Sequence, residues 1–238
     1  MTTITRESTK RLLLDVRNII KNPLTDHGIF YIHDDSDMLK GYAMIVGPEG
    51  TPYFGGYYFF ELAFPCDYPH SPPKVTYCTN GDNIRFNPNL YKCGKVCVSL
   101  LNTWRGDQWT SCQSISTVLL TLVTLLCKDP LLNEPGINLD HPDVKRYNSI
   151  IEYANISVAI YALISKKEGI YQPFFESFYP LMIQYFKKNI DKILIFSREK
   201  IAVIEGDNTL VSSVYQMRVK LDYSSLVTKL EGLKHTSY

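Results

Sequence analysis

Three short runs rich in aromatic and β-branched residues constrain the fold more than any other feature of the sequence. They cover residues 42–46, 57–64 and 74–78, and each is followed by glycine, proline or asparagine. Because those residues interrupt regular structure and favour turns, the pattern predicts three consecutive strands. Strands joined by short connections pair in an antiparallel meander, since parallel neighbours need a long crossover.

Helical periodicity flanks the strand region on both sides. Leu12, Val16 and Ile19 recur every three to four residues until Pro23, which predicts an N-terminal helix. Residues 115–126 form a strongly apolar helix, which we expect to lie across the sheet. Between the last strand and this helix, residues 88–110 follow no period. A connection of that length in a compact domain is usually functional.

The C-terminal part of the chain is also predicted to be helical. Asp140, with Asp143 three positions on, resembles a capping box that starts one helix. Further helices are predicted at residues 174–196 and 222–233, with a polar stretch at 205–213 between them. The sequence therefore predicts an α+β fold followed by an α-helical extension.

Composition and charge narrow the classes of function. Hydrophobic residues make up 45% of the chain and charged residues 21%, a balance that allows a buried core. The 25 basic and 24 acidic residues nearly cancel, and no run of Lys or Arg exceeds two, so nucleic-acid binding is not expected. The N-terminus lacks the apolar core of a secretory signal, and the longest apolar run is too short to span a bilayer. We therefore expect a soluble protein of the cytoplasm or nucleus, with reduced thiols.

The six cysteines all lie in the middle third of the chain. Only Cys93 and Cys97 approach the spacing of zinc ligands, and no second pair accompanies them, so no metal site is predicted. Cys97 lies in the aperiodic segment and is the candidate nucleophile. A cysteine hydrolase would also need a histidine base, and none of the five histidines forms a recognisable partner motif. Because such partners need only be close in space, that alternative stays open.

At this point several motifs, in order along the chain, resemble the ubiquitin-conjugating enzyme family. They are Gly47-Pro-Glu-Gly-Thr-Pro-Tyr-Phe-Gly-Gly, Phe64-Pro-Cys-Asp-Tyr-Pro-His-Ser-Pro-Pro-Lys-Val, Phe86-Asn-Pro-Asn-Leu and Gly94-Lys-Val-Cys-Val-Ser-Leu-Leu, then a tryptophan and the helix at 115–126. The resemblance implies a four-stranded antiparallel meander with flanking helices. It also implies a catalytic core over residues 1–150 and a C-terminal helical extension over residues 151–238.

A narrower resemblance points to a large subclass with extended C-terminal tails. Trp104 and Trp109, Asn133-Glu-Pro-Gly136 and Tyr147-Asn148 carry it. Members of this subclass can be charged by a non-standard activating enzyme and can accept a second ubiquitin-like modifier. The implied partners are ubiquitin or a ubiquitin-like modifier, an activating enzyme, a ubiquitin ligase and a protein substrate. No cofactor and no membrane are implied, and ATP enters only through the activating enzyme.

The family resemblance also assigns roles to individual residues. Cys97 would carry the modifier as a thioester, and Asn89 would support the loop and help to stabilise the oxyanion, although an ordinary turn asparagine is the simpler alternative. Glu134 is the preferred lysine-orienting acid, with Asn133 as the other alignment. Asn87 replaces the histidine usual in the family, which puts the packing of the loop in doubt.

Partner surfaces follow from the same resemblance. Arg6, Lys10 and Arg11 on the first helix would contact the activating enzyme, although an ordinary solvated face explains them equally simply. Pro69, His70 and Ser111 would lie on the loops that face a ligase. Two alternatives to an active conjugating enzyme remain, namely an inactive scaffold of the same fold and a cysteine hydrolase.

Overall fold

In the computed structural model, which describes residues 4–203 and 208–236, the chain begins with a helix and a small sheet. Helix α1 covers Arg6–Lys21 and is capped by Thr5, whose hydroxyl oxygen accepts a hydrogen bond from the amide of Ser8 (3.0 Å). It buries Leu12, Val16 and Ile19 and ends before Pro23. The predicted periodicity of the first helix is therefore confirmed.

The sheet is a four-stranded antiparallel meander in chain order. Its strands are β1 (Ile29–His33), β2 (Lys40–Val46), β3 (Tyr57–Ala63) and β4 (Lys74–Tyr77). The last three match the strands predicted from composition. The first was implied only by the family resemblance, because its five residues carry no clear alternation of apolar and polar side chains. Helix α2 (Ile115–Leu125) follows the long connection and buries five apolar residues in the same core as the sheet.

The chain continues in helices and a second, smaller sheet. These elements are α3 (Asp143–Ala154), a wider π-helical stretch (Asn155–Ala162), α4 (Tyr179–Val203), a two-stranded antiparallel hairpin of β5 (Thr209–Ser212) and β6 (Met217–Lys220), and α5 (Tyr223–Lys234). The α+β class and the helical extension are confirmed. The sequence does not predict the hairpin, because β5 falls in the polar stretch at residues 205–213, which was expected only to separate two helices. Residues 205–207 of that stretch lie outside the described residues.

The predicted capping box of the third helix is wrong. The helix begins at Asp143, and the residue before it, Pro142, already has helical backbone angles and makes no side-chain cap. Asp143 is fully buried, and its carboxylate accepts hydrogen bonds from Ser212 Oγ (2.8 Å) and from the amide of Val214 (3.0 Å). The carboxylate thus binds the C-terminal hairpin instead of the start of its own helix.

The C-terminal part covers one face of the four-stranded sheet. Phe59 on β3 stacks on Phe175 with ring centroids 3.9 Å apart, and Phe30 on β1 meets Tyr185 of α4 edge-on at 5.7 Å. The hydroxyl of Tyr57 donates to the backbone oxygen of Met182 (2.8 Å). Because neighbouring residues of a strand point to opposite faces, Tyr58 and Phe60 face the other side and the sheet is buried on both faces.

The proposed division at residue 150 remains a prediction. That position lies inside α3, which continues without interruption into the π-helical stretch. Buried residues on both sides of it belong to one hydrophobic cluster. Within the described ranges, no helix is long and apolar enough to cross a membrane.

Candidate active site

Cys97 lies in the connection between β4 and α2, on a segment at residues 87–98 that we call the Cys97 loop and whose backbone is held by its own short antiparallel pairing. Leu90 pairs with Val96, and the amide of Cys97 donates to the backbone oxygen of Asn89 (2.9 Å). The side chain of Asn89 returns a hydrogen bond, from Nδ2 to the backbone oxygen of Cys97 (2.5 Å). The two residues proposed for catalysis are therefore joined by reciprocal hydrogen bonds across eight positions of sequence.

The side chain of Cys97 is almost covered. The residue is only 2% exposed, yet it is absent from the apolar core cluster that includes both of its neighbours, Val96 and Val98. A reactant that is to bond to Sγ would have to displace some of the groups that cover this residue.

Four other cysteines differ from one another in how far their thiols are buried. Burial raises the pKa of Cys78 to about 12, and burial also raises the pKa of Cys127, so both stay protonated at neutral pH. Cys93 and Cys112 are exposed. In the described part of the chain, no three His, Cys, Asp or Glu side chains lie close enough together to hold a metal ion.

No histidine is placed as a base for Cys97. His33 contacts the hydroxyl of Tyr31 and the backbone of Met38, and His141 accepts a hydrogen bond from the amide of Asp143. Across residues 4–203 and 208–236, which include all five histidines, no hydrogen bond joins a histidine to Cys97. The geometry does not provide the Cys–His pair that a cysteine hydrolase needs.

Asn87, the departure from the family pattern, is the centre of the loop's hydrogen bonding. Its buried amide donates to the backbone oxygen of Leu125 (2.7 Å) and to the hydroxyl of Tyr53 (3.1 Å). Its oxygen accepts a hydrogen bond from the amide of Asn89 (2.9 Å). A neutral amide thus ties the loop to the end of α2, and the doubt about the packing of this loop is resolved in favour of an ordered one.

The two candidates for the lysine-orienting acid have different surroundings. The amide of Asn133 points toward Asn87, at 3.4 Å from its oxygen. Glu134 is half-buried, and its carboxylate accepts a hydrogen bond from the hydroxyl of Tyr215. Only Glu134 is an acid, and it directly follows Asn133, whose side chain contacts Asn87 at the start of the Cys97 loop. Its role remains a prediction.

Arg85 was missed by the sequence reasoning, although it holds the loop from the other side. Its guanidinium donates to the backbone oxygens of Asn87 (3.0 Å) and Pro88 (2.6 Å) and lies 3.3 Å from the ring centre of Tyr91. Because its partners are backbone oxygens and an aromatic face, no charge pattern in the sequence indicates them. An arginine directly before the Phe-Asn-Pro-Asn motif was the available signal.

The three basic residues assigned to the activating enzyme differ in whether their side chains are already bound within the protein. Arg6 and Lys10 are exposed on α1. Arg11 instead forms an ion pair with the buried carboxylate of Asp15 (3.0 Å) and donates to the backbone oxygens of Ser111 (2.6 Å) and Gln113 (2.5 Å). Arg11 therefore fixes the loop before α2 and is poorly available to a partner.

The three residues assigned to a ligase lie on two loops that are joined to each other. The indole nitrogen of Trp109 donates to the backbone oxygen of Pro69 (2.7 Å), which connects the two loops. His70 and Ser111 are exposed, whereas Pro69 is half-buried. The structure thus places these loops at the same end of the molecule as the start of α2.

Comparison with known proteins adds to this geometry. A family model described as "Ubiquitin-conjugating enzyme" matches residues 11–154. The chain is 37% identical to the ubiquitin-conjugating enzyme E2 Z of Danio rerio over 94% of its length, covering 67% of that relative. It is 37% identical to the Homo sapiens protein of the same name over 92% of its length, covering 61% of that protein. It is also 36% identical to the probable ubiquitin-conjugating enzyme protein 17 of Caenorhabditis elegans, over 82% of its length, covering 27% of that protein. These matches extend beyond residue 154 into the C-terminal part.

Proposed function

Because the chain belongs to the ubiquitin-conjugating enzyme family, we propose that it accepts ubiquitin or a ubiquitin-like modifier as a thioester on Cys97. The donor is an activating enzyme, and the acceptor is a lysine of a protein substrate, reached with or without a ligase. One observation carries this proposal: Cys97 and Asn89 are joined by reciprocal hydrogen bonds on the loop that the family motif covers.

The first step is an exchange between two thioesters. The Sγ of Cys97, as a thiolate, forms a bond to the carbonyl carbon of the modifier's C-terminal residue, and the bond from that carbon to the activating enzyme's sulfur breaks. The departing thiolate takes up the proton that Cys97 has lost. Bond types are the same on both sides, so little driving force and no strong base are needed, which fits a cysteine without a histidine partner.

The second step is attack by an amine. A free lysine side chain has a pKa of about 10.4 and has to lose a proton before its nitrogen can attack. A carboxylate near the thioester can hold the amine and favour its deprotonation, which is the role we assign to Glu134. As the C–N bond forms, the bond to Sγ breaks, and the leaving thiolate of Cys97 takes up the proton that the attacking nitrogen loses on becoming an amide.

The proposal is tested by a charging assay. The chain is incubated with ATP, ubiquitin or a ubiquitin-like modifier, and the corresponding activating enzyme, and is then separated on a non-reducing gel. We expect a covalent adduct that a thiol reductant removes. The near-complete burial of Cys97 favours one rival, an inactive scaffold of the same fold, which predicts no adduct with any activating enzyme. Cleavage of a modifier fusion without ATP would instead support a hydrolase.

The amide of Asn89 is expected to matter more for lysine attack than for charging. Asn89→Asp keeps the shape of the side chain but replaces the Nδ2 donor, which holds the backbone of Cys97, with an acceptor. Loss of one oxyanion-hole donor slows acyl transfer by about 10²-fold or more, and Asn89 is the residue proposed here for that role. We expect discharge to lysine to fall by about this factor in a single-turnover assay.

The control for this variant is Asn80→Asp. Asn80 makes the same kind of contact, from Nδ2 to the backbone oxygen of Tyr77 (3.1 Å), but outside the Cys97 loop. It should discharge at the wild-type rate. Equal discharge by Asn89→Asp and the wild type would leave Asn89 as a turn residue only.

We also propose two partner surfaces. Arg6 and Lys10 are exposed and suit contact with the activating enzyme, whereas Arg11 is bound to Asp15 and to the loop before α2. His70 and Ser111 are exposed on the loops assigned to a ligase. A cytoplasmic or nuclear location remains a prediction.

A further inference from the structure

The C-terminal hairpin reaches the edge of the candidate active site. Its tight turn joins β5 to β6 and carries Tyr215. The hairpin is fixed to the core by the buried carboxylate of Asp143, which accepts hydrogen bonds from Ser212 and Val214. The sulfur of Met217 accepts a hydrogen bond from the amide of Arg85 (3.1 Å). Tyr215 is therefore held between two anchored strands.

Tyr215 contacts both the acid and the arginine of the site. Its hydroxyl donates to Oε2 of Glu134. Its ring faces the guanidinium of Arg85 at 5.2 Å and the ring of Tyr147 at 5.9 Å. Burial, and then the hydrogen bond to Glu134, raise the pKa of Tyr215 far above its usual value. The phenol thus remains protonated and is a permanent donor to the carboxylate.

The bond to Tyr215 leaves the carboxylate able to receive an amine. Only Oε2 of Glu134 is used by the phenol, and no residue in the described ranges donates to Oε1. Glu134 is half-buried, so part of the group remains reachable from solvent. A carboxylate that is fixed through one oxygen has lost most of its rotational freedom. It can therefore present the other oxygen to a lysine at little further entropic cost.

We propose that Tyr215 is a positioning residue for the attacking lysine, because it fixes the Glu134 carboxylate at the edge of the Cys97 loop. The proposal rests on the proposed function and extends it to a role of the tail in the second step. If Tyr215 acts in this way, changes in the hairpin slow discharge to lysine but leave formation of the thioester unchanged. Tyr215 is connected with the Cys97 loop through Arg85, whose guanidinium lies over the Tyr215 ring and donates to the backbone oxygens of Asn87 and Pro88.

The test compares two amines on the same charged protein. Tyr215→Phe keeps the ring over Arg85 and removes only the hydroxyl. Lysine has to be deprotonated before it attacks, whereas hydroxylamine is already largely unprotonated at neutral pH and therefore depends much less on a nearby carboxylate. Since a hydrogen bond to a charged group is lost, we expect discharge to lysine to slow by about tenfold. Discharge to hydroxylamine and the rate of charging should stay at the wild-type level.

Two further variants separate positioning from general damage. In a Glu134→Gln background the Tyr215→Phe change should have little additional effect, because no carboxylate is left for the phenol to orient toward the amine. Tyr185→Phe, which removes a hydroxyl from α4 next to Phe30, is the matched control and should discharge normally. Equal slowing toward both amines would show that the loop is merely disordered, and equal rates for Tyr215→Phe and the wild type would exclude any role. Either result overturns the inference alone, whereas a wild-type protein that never charges overturns the proposed function as well.

Discussion

We expect Cys97→Ala to abolish the thiol-sensitive adduct in the charging assay. The methyl group of alanine cannot attack a thioester, and no other thiol occupies the pairing with Asn89. Cys78 and Cys127 are poor substitutes, because burial raises their pKa values and so lowers the fraction of reactive thiolate. The loss should be complete within the detection limit of a non-reducing gel, because the proposed thioester forms only on the sulfur of Cys97.

The matched control is Cys93→Ser, on the same loop. Cys93 is exposed and more accessible than Cys97, so a non-specific adduct would form at a thiol of this kind before it formed at Cys97. We expect this variant to charge normally. Cys97→Ser supplies a further distinction, because a serine oxygen forms an ester that resists thiol reductants. If the adduct survived in Cys97→Ala and disappeared in Cys93→Ser, the nucleophile would be Cys93 instead of Cys97.

Periodicity and turn chemistry were sufficient for the elements whose partners are close in sequence. The first helix ends where Pro23 predicts, and the strands after it end next to the predicted turn residues, because backbone preference decides these boundaries. The capping prediction at Asp140 and Asp143 failed for the opposite reason. A buried carboxylate has to find donors, and those of Asp143 come from a hairpin about seventy residues later in the chain.

The residues of the candidate site also differ in whether their partners are close in sequence or far away. Cys97 and Asn89 could be proposed from the sequence because they lie in two motifs that follow each other closely, and their catalytic roles remain predictions. The contact of Tyr215 with Glu134 spans 81 positions, and nothing local to either residue indicates it. Arg11 shows the converse case. Its place on a basic helical face suggests a free charge, but the loop before α2 supplies backbone oxygens that bind it.

The role of the C-terminal part gives the second large expected effect. Truncation after Lys166 would remove Phe175, Phe178 and Met182, all fully buried. It would also expose the sheet face that carries Phe30 and Phe59. Exposing a contiguous apolar face of this kind promotes aggregation. We therefore expect the truncated chain to be recovered mainly in the insoluble fraction, whereas an independent module would leave a soluble core.

A single substitution tests the same point without removing the tail. Phe175→Ala deletes the ring stacked on Phe59 at 3.9 Å, and such deletions in a core cost about 3–5 kcal/mol of unfolding free energy. For a chain of this size the midpoint of thermal unfolding should fall by roughly 6–20 °C. Both tryptophans, Trp104 and Trp109, lie in the proposed core, so their fluorescence reports on that part alone.

If the tail and the core unfold together, the tryptophan signal shifts with the substitution even though Phe175 lies in the tail. Ile195→Ala is the control, because Ile195 on α4 is 55% exposed and its loss should change stability by less than about 0.5 kcal/mol. An unchanged fluorescence midpoint in Phe175→Ala would mean that the core folds without the tail. A shared shift would instead mean that the core and the tail unfold in one step. Phe59 and Phe175 would then become exposed to water together, because each ring covers the other.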